Sequence, residues 1–178
     1  MVKIIITGPE STGKSTLAKN LATHLGEPWV PEFSRYFIPS LHGSYSPDHF
    51  AIMAQGQLHW QQLYRSIARN YLICDTGLEA LFIWFEFRFE GVANPIPESW
   101  NPSTEDLYLL CSPDIPWEYD PLREAPDRRE EIFTAFQDLL LMENLTFYTV
   151  CGQTPQERLT SALSALAQAD AGLLRDSR

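Results

Sequence analysis

The octapeptide at residues 8–15 constrains this chain more than any other feature of its sequence. It reads GPESTGKS, which fits the pattern G-x-x-x-x-G-K-[ST] without a mismatch. A β-branched run, Val2–Thr7, precedes it, and a segment with leucine and alanine at helical spacing, Lys14–Leu25, follows it. A strand, a glycine-containing turn and a helix in this order point several backbone N–H groups at one place. The pattern therefore predicts an anion-binding loop.

Alternation of strand and helix patterns along the rest of the chain predicts the fold class. Four further apolar runs suit buried strands, at 29–30, 71–74, 107–111 and 146–151. Helical patterns follow these runs or lie between them, at 46–69, 78–89, 130–142 and 154–172. Such alternation predicts an α/β protein with three layers, α/β/α, around a five-stranded parallel sheet. We expect one domain over residues 1–172 and a frayed tail at 173–178.

Charge and composition limit the partners of this protein. Its 178 residues include 13 basic and 23 acidic side chains, a net charge of −10 that disfavours nucleic acid or an anionic membrane as the main partner. Its longest central apolar run, Ala80–Phe85, is too short to cross a bilayer, and we find no secretory signal. The three cysteines, Cys74, Cys111 and Cys151, each end an apolar run, which predicts buried thiols and a cytoplasmic protein.

Residues 8–16, called the phosphate loop below, carry the first candidate site. Lys14 can reach the β- and γ-phosphates of a nucleotide, and the Ser15 hydroxyl can coordinate Mg²⁺. Thr16 can touch the α-phosphate or be an ordinary helix residue, and Glu10 should point outward or towards an acceptor because its charge opposes ATP. The residues expected to bind the cofactor ATP are Gly8, Glu10, Ser11, Thr12, Gly13, Lys14, Ser15 and Thr16.

Two acids follow predicted strands, at the sheet edge where ligands bind in open parallel sheets. Asp75 follows a buried strand, as does the acid that holds Mg²⁺ through water in nucleotide-binding proteins, although it can also simply cap the next helix. Glu32 should face the acceptor and can take a proton from its hydroxyl, with Asp75 as the other candidate base. Arg35 either shares the acceptor site or pairs with Glu32.

A polar, proline-rich segment at 112–129, called the lid below, contains a cluster of arginines. Arg123, Arg128 and Arg129 lie where a lid would close over the triphosphate, and guanidinium groups suit the charge of a transferring phosphoryl group. We expect Arg123 and Arg129 to act in this way. Ion pairing with Glu130 or Glu131 on a helix surface is the alternative.

Together these pieces resemble the nicotinamide riboside kinase domain of NadR-like proteins, which are P-loop nucleoside and nucleotide kinases. The matching pieces are the phosphate loop, Val30-Pro31-Glu32 with Arg35, Ile83-Trp84, and lid residues Asp114–Glu118, Asp120, Leu122, Arg123 and Arg129. The resemblance implies ATP- and Mg²⁺-dependent phosphorylation of the 5′-hydroxyl of nicotinamide riboside in NAD biosynthesis. One departure is Gly77, where the family often has a second acid after Asp75-Thr76.

The nicotinamide ring is cationic and would suit an aromatic wall. Tyr36, Trp84 and Trp117 are the candidates for that wall, although Trp84 can equally be a core residue. With Glu32, Arg35 and Asp75 they form the predicted acceptor site. Another nucleoside as acceptor, or a regulatory ATPase without a small-molecule acceptor, are the alternatives.

Overall fold

The computed structural model describes residues 1–41, 43–96 and 100–176, and for residues 171–176 it describes the backbone alone. The strands are β1 (Val2–Thr7), β2 (Trp29–Val30), β3 (Tyr71–Asp75), β4 (Leu107–Cys111) and β5 (Thr146–Val150). The helices are α1 (Lys14–Leu25), α2 (Ser34–Phe37), α3 (Asp48–Arg65), α4 (Leu78–Arg88), α5 (Arg129–Met142) and α6 (Pro155–Asp176). A 3₁₀ turn at Ile38–Ser40 continues α2.

All five strands form one parallel sheet in the order β2-β3-β1-β4-β5. The register pairs Ile6 with Asp75 on one side of β1 and Thr7 with Leu110 on the other. The carboxyl ends of the three central strands therefore meet at one edge of the sheet. The predicted five-stranded parallel α/β/α fold is confirmed, and this edge is where open parallel sheets bind their ligands.

Alternate side chains of β1 supply the cores on the two faces of the sheet. Ile4 and Ile6 are fully buried with Leu17 of α1 on one face, where α6 also packs. Ile5 points to the other face and packs with Ile83 of α4 and with α5. Such two-sided burial explains why the central strands β3 and β4 are continuous apolar runs rather than alternating ones. A third cluster, between α3 and α4, centres on aromatic rings.

Several boundaries differ from the sequence prediction, and α3 shows why. This helix ends at Arg65 rather than at Arg69. The Glu27 carboxylate accepts hydrogen bonds from the backbone N–H groups of Arg69, Asn70 and Tyr71, at 2.9, 2.7 and 3.3 Å. Glu27, more than forty residues earlier in the chain, therefore fixes the backbone between α3 and β3. Helical periodicity cannot predict such a contact.

Helices α2 and α6 also differ from the prediction. The sequence patterns did not predict α2, which is a single short turn after β2. Helix α6 continues to Asp176, beyond the predicted end at Gly172 and into the predicted tail. The last two residues of that tail, 177 and 178, lie outside the described residues.

The cysteines are not all buried, so the prediction was wrong for one of them. Cys74 and Cys111 are buried, whereas Cys151 is exposed because it follows the edge strand β5. Loss of water around the buried thiols raises the pKa of Cys111 to about 11 and raises that of Cys74 further. No helix among the described residues combines the length and apolar composition that crossing a bilayer requires.

Candidate active site

Two glycines shape the phosphate loop. Gly8 has φ +126°, and a Cβ atom there would lie 2.7 Å from the carbonyl oxygen of Cys111 on β4. Gly13 has φ +75°, a left-handed conformation that L side chains rarely adopt, and α1 begins at the next residue. Between them, the Thr12 hydroxyl donates a 2.8 Å hydrogen bond to the Pro9 carbonyl. The loop therefore turns tightly from β1 into the amino end of α1, a geometry suited to an anion.

Lys14 begins α1, and its ammonium group lies inside the loop. Its Nζ donates a 2.5 Å hydrogen bond to the Pro9 carbonyl. Burial lowers the pKa of Lys14, while the nearby carboxylates of Glu32 and Asp75 oppose that shift. The ammonium group is thus positioned beside the loop backbone, where it can meet phosphate oxygens.

Asp75 ends β3 next to the phosphate loop and is only 2% exposed. Burial, and then the nearby charge of Glu32, raise the pKa of Asp75 to about 6, although the Ser15 hydroxyl favours the ionised form. Its Oδ1 atom is buried and has no hydrogen-bond partner among the described residues. An acceptor oxygen of this kind is expected where a ligand completes the site.

The residues at this position fit Mg²⁺. The Ser15 hydroxyl and the unpaired Asp75 oxygen are both oxygen donors, which Mg²⁺ prefers. No group of three or more His, Cys, Asp or Glu side chains in the described part of the chain is arranged to hold a metal ion. A magnesium ion would therefore need phosphate oxygens and water to complete its coordination, as is usual for Mg²⁺ with nucleotides.

Glu32 follows β2 and lines the same cavity as the phosphate loop. The Ser34 hydroxyl donates a short hydrogen bond to its carboxylate. Its other oxygen lies 3.4 Å from Nε of Arg35, whose Nη1 lies 2.7 Å from the carboxylate of Asp120 in the lid. Arg35 therefore pairs with Glu32, as the second alternative predicted, and it also joins that segment to the lid.

The lid arginines contact the phosphate loop through Ser11. Nη1 of Arg123 donates to the Ser11 hydroxyl at 3.3 Å, and Nη1 of Arg129 donates to the Ser11 carbonyl at 3.2 Å. Arg129 is also the first residue of α5. Arg128, by contrast, makes two 2.8 Å hydrogen bonds to Glu131, the surface pairing that the sequence offered as the alternative.

Glu10 points at the lid. Its carboxylate accepts hydrogen bonds from Nε1 of Trp117 at 2.8 Å and from the backbone N–H groups of Glu124 and Ala125 at 2.8 and 3.2 Å. Its acidic charge therefore meets N–H donors of the lid, although Glu10 also lines the cavity beside the phosphate loop. Thr16, at the other end of the phosphate loop, is exposed and lines the same cavity.

A cavity of about 480 Å³ extends from the phosphate loop between α3, α4 and the lid. Trp84 lines it and also packs on Phe50 and Tyr45, so it is both a wall and a core residue. Phe87 and Phe136 complete the aromatic lining. Neither was predicted, because helix periodicity alone does not separate a cavity wall from a core.

Tyr36 and Trp117 do not line this cavity, contrary to the predicted aromatic wall. Tyr36 is 61% exposed, and its ring packs edge-on against Trp60 on the outside of α3. Trp117 is occupied by its hydrogen bond to Glu10. Their positions in the sequence, near Glu32 and in the lid, do not show where their side chains point, because that direction depends on tertiary contacts.

Two buried polar residues near the site were missed. Gln57 of α3 accepts a 2.7 Å hydrogen bond from the Phe33 N–H and donates to the Pro31 carbonyl at 3.2 Å, which fixes the backbone on both sides of Glu32. Arg158 of α6 is 3% exposed, and it pairs with Asp114 at the start of the lid. The sequence signal that could have identified Gln57 is a glutamine on the apolar face of a helix.

Glu79 stabilises the turn that contains Gly77. The Glu79 carboxylate accepts a 3.1 Å hydrogen bond from the Gly77 N–H, and burial raises its pKa. A Cβ atom on Gly77 would need the flexible Glu79 side chain to shift. An acidic residue therefore does follow Asp75, but it lies outside the cavity lining and serves the turn.

Comparison with known proteins identifies the family of this chain. A family model described as an AAA domain matches residues 3–158. The chain belongs to this family. No match to this AAA-domain protein is found among curated proteins.

Solved structures show the same fold. A crystal structure of NadR protein in complex with NR aligns with a TM-score of 0.76 and 19% identity over 94% of this chain and 50% of that one. A crystal structure of NadR protein in complex with NAD and AMP-PNP aligns with a TM-score of 0.74 and 20% identity, over 94% of this chain and 49% of that one. A crystal structure of YorR protein from Bacillus subtilis in complex with phosphorylated GDP aligns with a TM-score of 0.51 and 17% identity over 99% of both chains. The AAA-domain protein spans about half the length of the NadR chains it matches.

Proposed function

We propose that this AAA-domain protein is an ATP- and Mg²⁺-dependent kinase that phosphorylates the 5′-hydroxyl of nicotinamide riboside. One observation carries the proposal: the phosphate loop, Glu32 and an aromatic wall line a single cavity. A bound nucleotide and an alcohol in this cavity would meet between Lys14 and Glu32. Such positioning is most of what phosphoryl transfer requires of a protein.

Each residue of the site has a defined role in this proposal. The phosphate loop amides and Lys14 hold the β- and γ-phosphates, and Ser15 with Asp75 would hold Mg²⁺. When bound, the ion neutralises charge on the phosphate oxygens. Arg123 and Arg129 hold the lid on the phosphate loop through Ser11, which excludes water from the transferring group and limits idle hydrolysis.

Either Glu32 or Asp75 orients the acceptor hydroxyl and takes its proton. Glu32 lines the cavity on the acceptor side and is hydrogen-bonded by Ser34. The pKa of Asp75 is raised to about 6, which is close to the pKa of an effective general base near neutral pH. We favour Glu32 because Asp75 has a role in holding the metal.

Nicotinamide riboside is proposed as the acceptor on two grounds. The motifs of the phosphate loop, the Glu32 segment and the lid resemble those of nicotinamide riboside kinases, and a NadR structure of the same fold is in complex with NR. Trp84 and Phe87 supply aromatic surface for a cationic ring. Another nucleoside is the second candidate, because Arg88 and Arg128 also line the cavity and make it less negative than a cationic ring would favour.

A coupled assay of ADP release over a panel of nucleosides, with and without Mg²⁺, tests the proposal. We expect release to depend on nicotinamide riboside. Release with a different nucleoside would reassign the acceptor, and release without any acceptor would favour a regulatory ATPase.

Lys14→Ala is the variant that tests the ATP site in the same assay. We expect it to abolish phosphoryl transfer while the far-ultraviolet circular dichroism stays that of the wild type. Lys19→Ala is the matched control, since Lys19 lies on the same helix but is exposed and packs over Trp29. Full activity of Lys14→Ala would contradict the assignment of the ATP site.

A further inference from the structure

We propose that Glu10 is a positioning residue that holds the lid against the phosphate loop and joins the nucleotide end of the cavity to its acceptor end. The kinetic part of this inference rests on the proposed kinase function, whereas its structural part does not. The inference concerns a residue that the pattern of the phosphate loop leaves variable and whose charge opposes a bound polyphosphate.

Because the lid has no regular secondary structure of its own between β4 and α5, side-chain contacts hold it in place, and Glu10 makes three of them. Three N–H groups of the lid, the Trp117 indole and the backbone amides of Glu124 and Ala125, converge on the one carboxylate, at 2.8, 2.8 and 3.2 Å. Hydrogen bonds to an ionised acceptor are stronger than those between neutral groups. One side chain therefore fixes the lid at two points, eight residues apart in the chain.

Glu124 links Glu10 to residues on the acceptor side of the cavity. Its backbone N–H binds Glu10, and its carboxylate accepts a 2.6 Å hydrogen bond from the Tyr45 hydroxyl and lies 3.4 Å from Nε of Arg88 on α4. Arg88 lines the cavity. A continuous chain of hydrogen bonds and an ion pair thus runs from the phosphate loop, through the lid, to the wall of the acceptor pocket.

The same geometry separates the effect of Glu10 on ATP from its effect on the acceptor. Its charge repels a polyphosphate, so its removal should leave ATP binding unchanged or tighter. Its removal should weaken the lid and the acceptor wall, so the KM for the acceptor should rise and acceptor-independent ATP hydrolysis should increase relative to transfer. A residue needed only for folding would impair both substrates.

Amide hydrogen exchange of the full chain tests the structural part. In Glu10→Ala we expect the amides of Glu124 and Ala125 to exchange about ten- to a hundredfold faster, since hydrogen bonds to a charged acceptor are lost. Glu10→Gln keeps one acceptor oxygen and should give a smaller increase. Glu118→Gln is the matched control, because this lid carboxylate is exposed and bonds to no side chain or amide among the described residues.

Steady-state kinetics of the same variants, with nicotinamide riboside and ATP, test the kinetic part. We expect Glu10→Ala to raise the acceptor KM about tenfold with no rise in the KM for ATP, and Glu118→Gln to change neither. Unchanged amide exchange in Glu10→Ala, or equal increases in both KM values, would overturn the inference. If exchange increases but the wild type phosphorylates no nucleoside, the proposed function is wrong while the contact between Glu10 and the lid stands.

Discussion

At the scale of single residues, Asp75 is held in conditions that disfavour its charge. Asp75 is buried next to Glu32, and no described residue hydrogen-bonds its Oδ1 atom. A carboxyl group with a raised pKa destabilises the folded protein at neutral pH. Destabilisation of this kind is typical of residues that bind a ligand rather than stabilise the fold.

We predict that Asp75→Asn stabilises the protein at neutral pH. The folded pKa of about 6 exceeds the unfolded value of 3.8, so the contribution of Asp75 to stability is highest below pH 3.8 and is lost as the pH rises through about 6. Removing the charge should add about 2–3 kcal/mol to the free energy of unfolding near pH 7.5. Urea titrations near pH 7.5 and pH 4 measure it. An equal difference at both values would contradict the assigned cause.

Glu32→Gln tests the identity of the base. If Glu32 accepts the proton, turnover should fall by about two to four orders of magnitude, as loss of a general base usually does. The measurement is kcat at saturating ATP and acceptor. An unchanged kcat would assign the role to Asp75, whose protonation should then make the rate fall as the pH drops through about 6.

At the scale of elements, side chains from neighbouring helices fix the irregular segments that carry the site. The segment after β2, which holds Glu32, is tied to α3 through Gln57. Gly56, beside it on α3, leaves room for the Phe33 ring, because a Cβ atom there would collide with that ring. Helix α3 therefore serves as the support of the proposed acceptor site.

We predict that Gln57→Met impairs both stability and turnover. The substitution keeps the volume but leaves the Phe33 N–H and the Pro31 carbonyl without their partner, at a cost of about 1–3 kcal/mol. The same variant should lower kcat because Glu32 lies between those groups. Gln61→Met is the control, since Gln61 is buried one turn later and forms no side-chain hydrogen bond with described residues. Similar losses in the two variants would count against the role of Gln57.

The elements that could be predicted from sequence are those that local patterns encode. Most residues of Val2–Thr7 and Leu107–Cys111 are apolar because both faces of the sheet are covered, and the glycines of the phosphate loop are required by its positive φ angles. The turn at α2 and the end of α3 were not predictable, because Gln57 and Glu27 create them from distant positions. The directions of Tyr36, Trp117 and Glu10 likewise depend on contacts with distant side chains.

At the scale of the whole molecule, the sheet order brings distant segments together. Strand β1 is central, so the phosphate loop lies between the ends of β3 and β4. Helix α6, from the other end of the chain, packs against α1. Its Arg158 lies against the same loop, since a Cβ atom on Gly13 would be 3.7 Å from Cδ of Arg158.

The ion pair of Arg158 with Asp114 gives a prediction at this scale. Asp114→Asn should destabilise the protein by about 3 kcal/mol, because it leaves the guanidinium group buried without a counter-charge. Adding Arg158→Met should recover most of that loss, since the uncompensated charge is then absent. Thermal unfolding of the two variants measures both effects. A double variant less stable than Asp114→Asn would show that the arginine has another stabilising role.

The exposure of Cys151 has a practical consequence. The other two thiols are buried with raised pKa values, so a maleimide fluorophore should label the native protein at this position alone. The neighbouring Gly152 N–H donates a 2.8 Å hydrogen bond to Asp114, where the lid begins. A dye attached there would lie close to the start of the lid, so its emission would report a change in the position of the lid without any engineered cysteine.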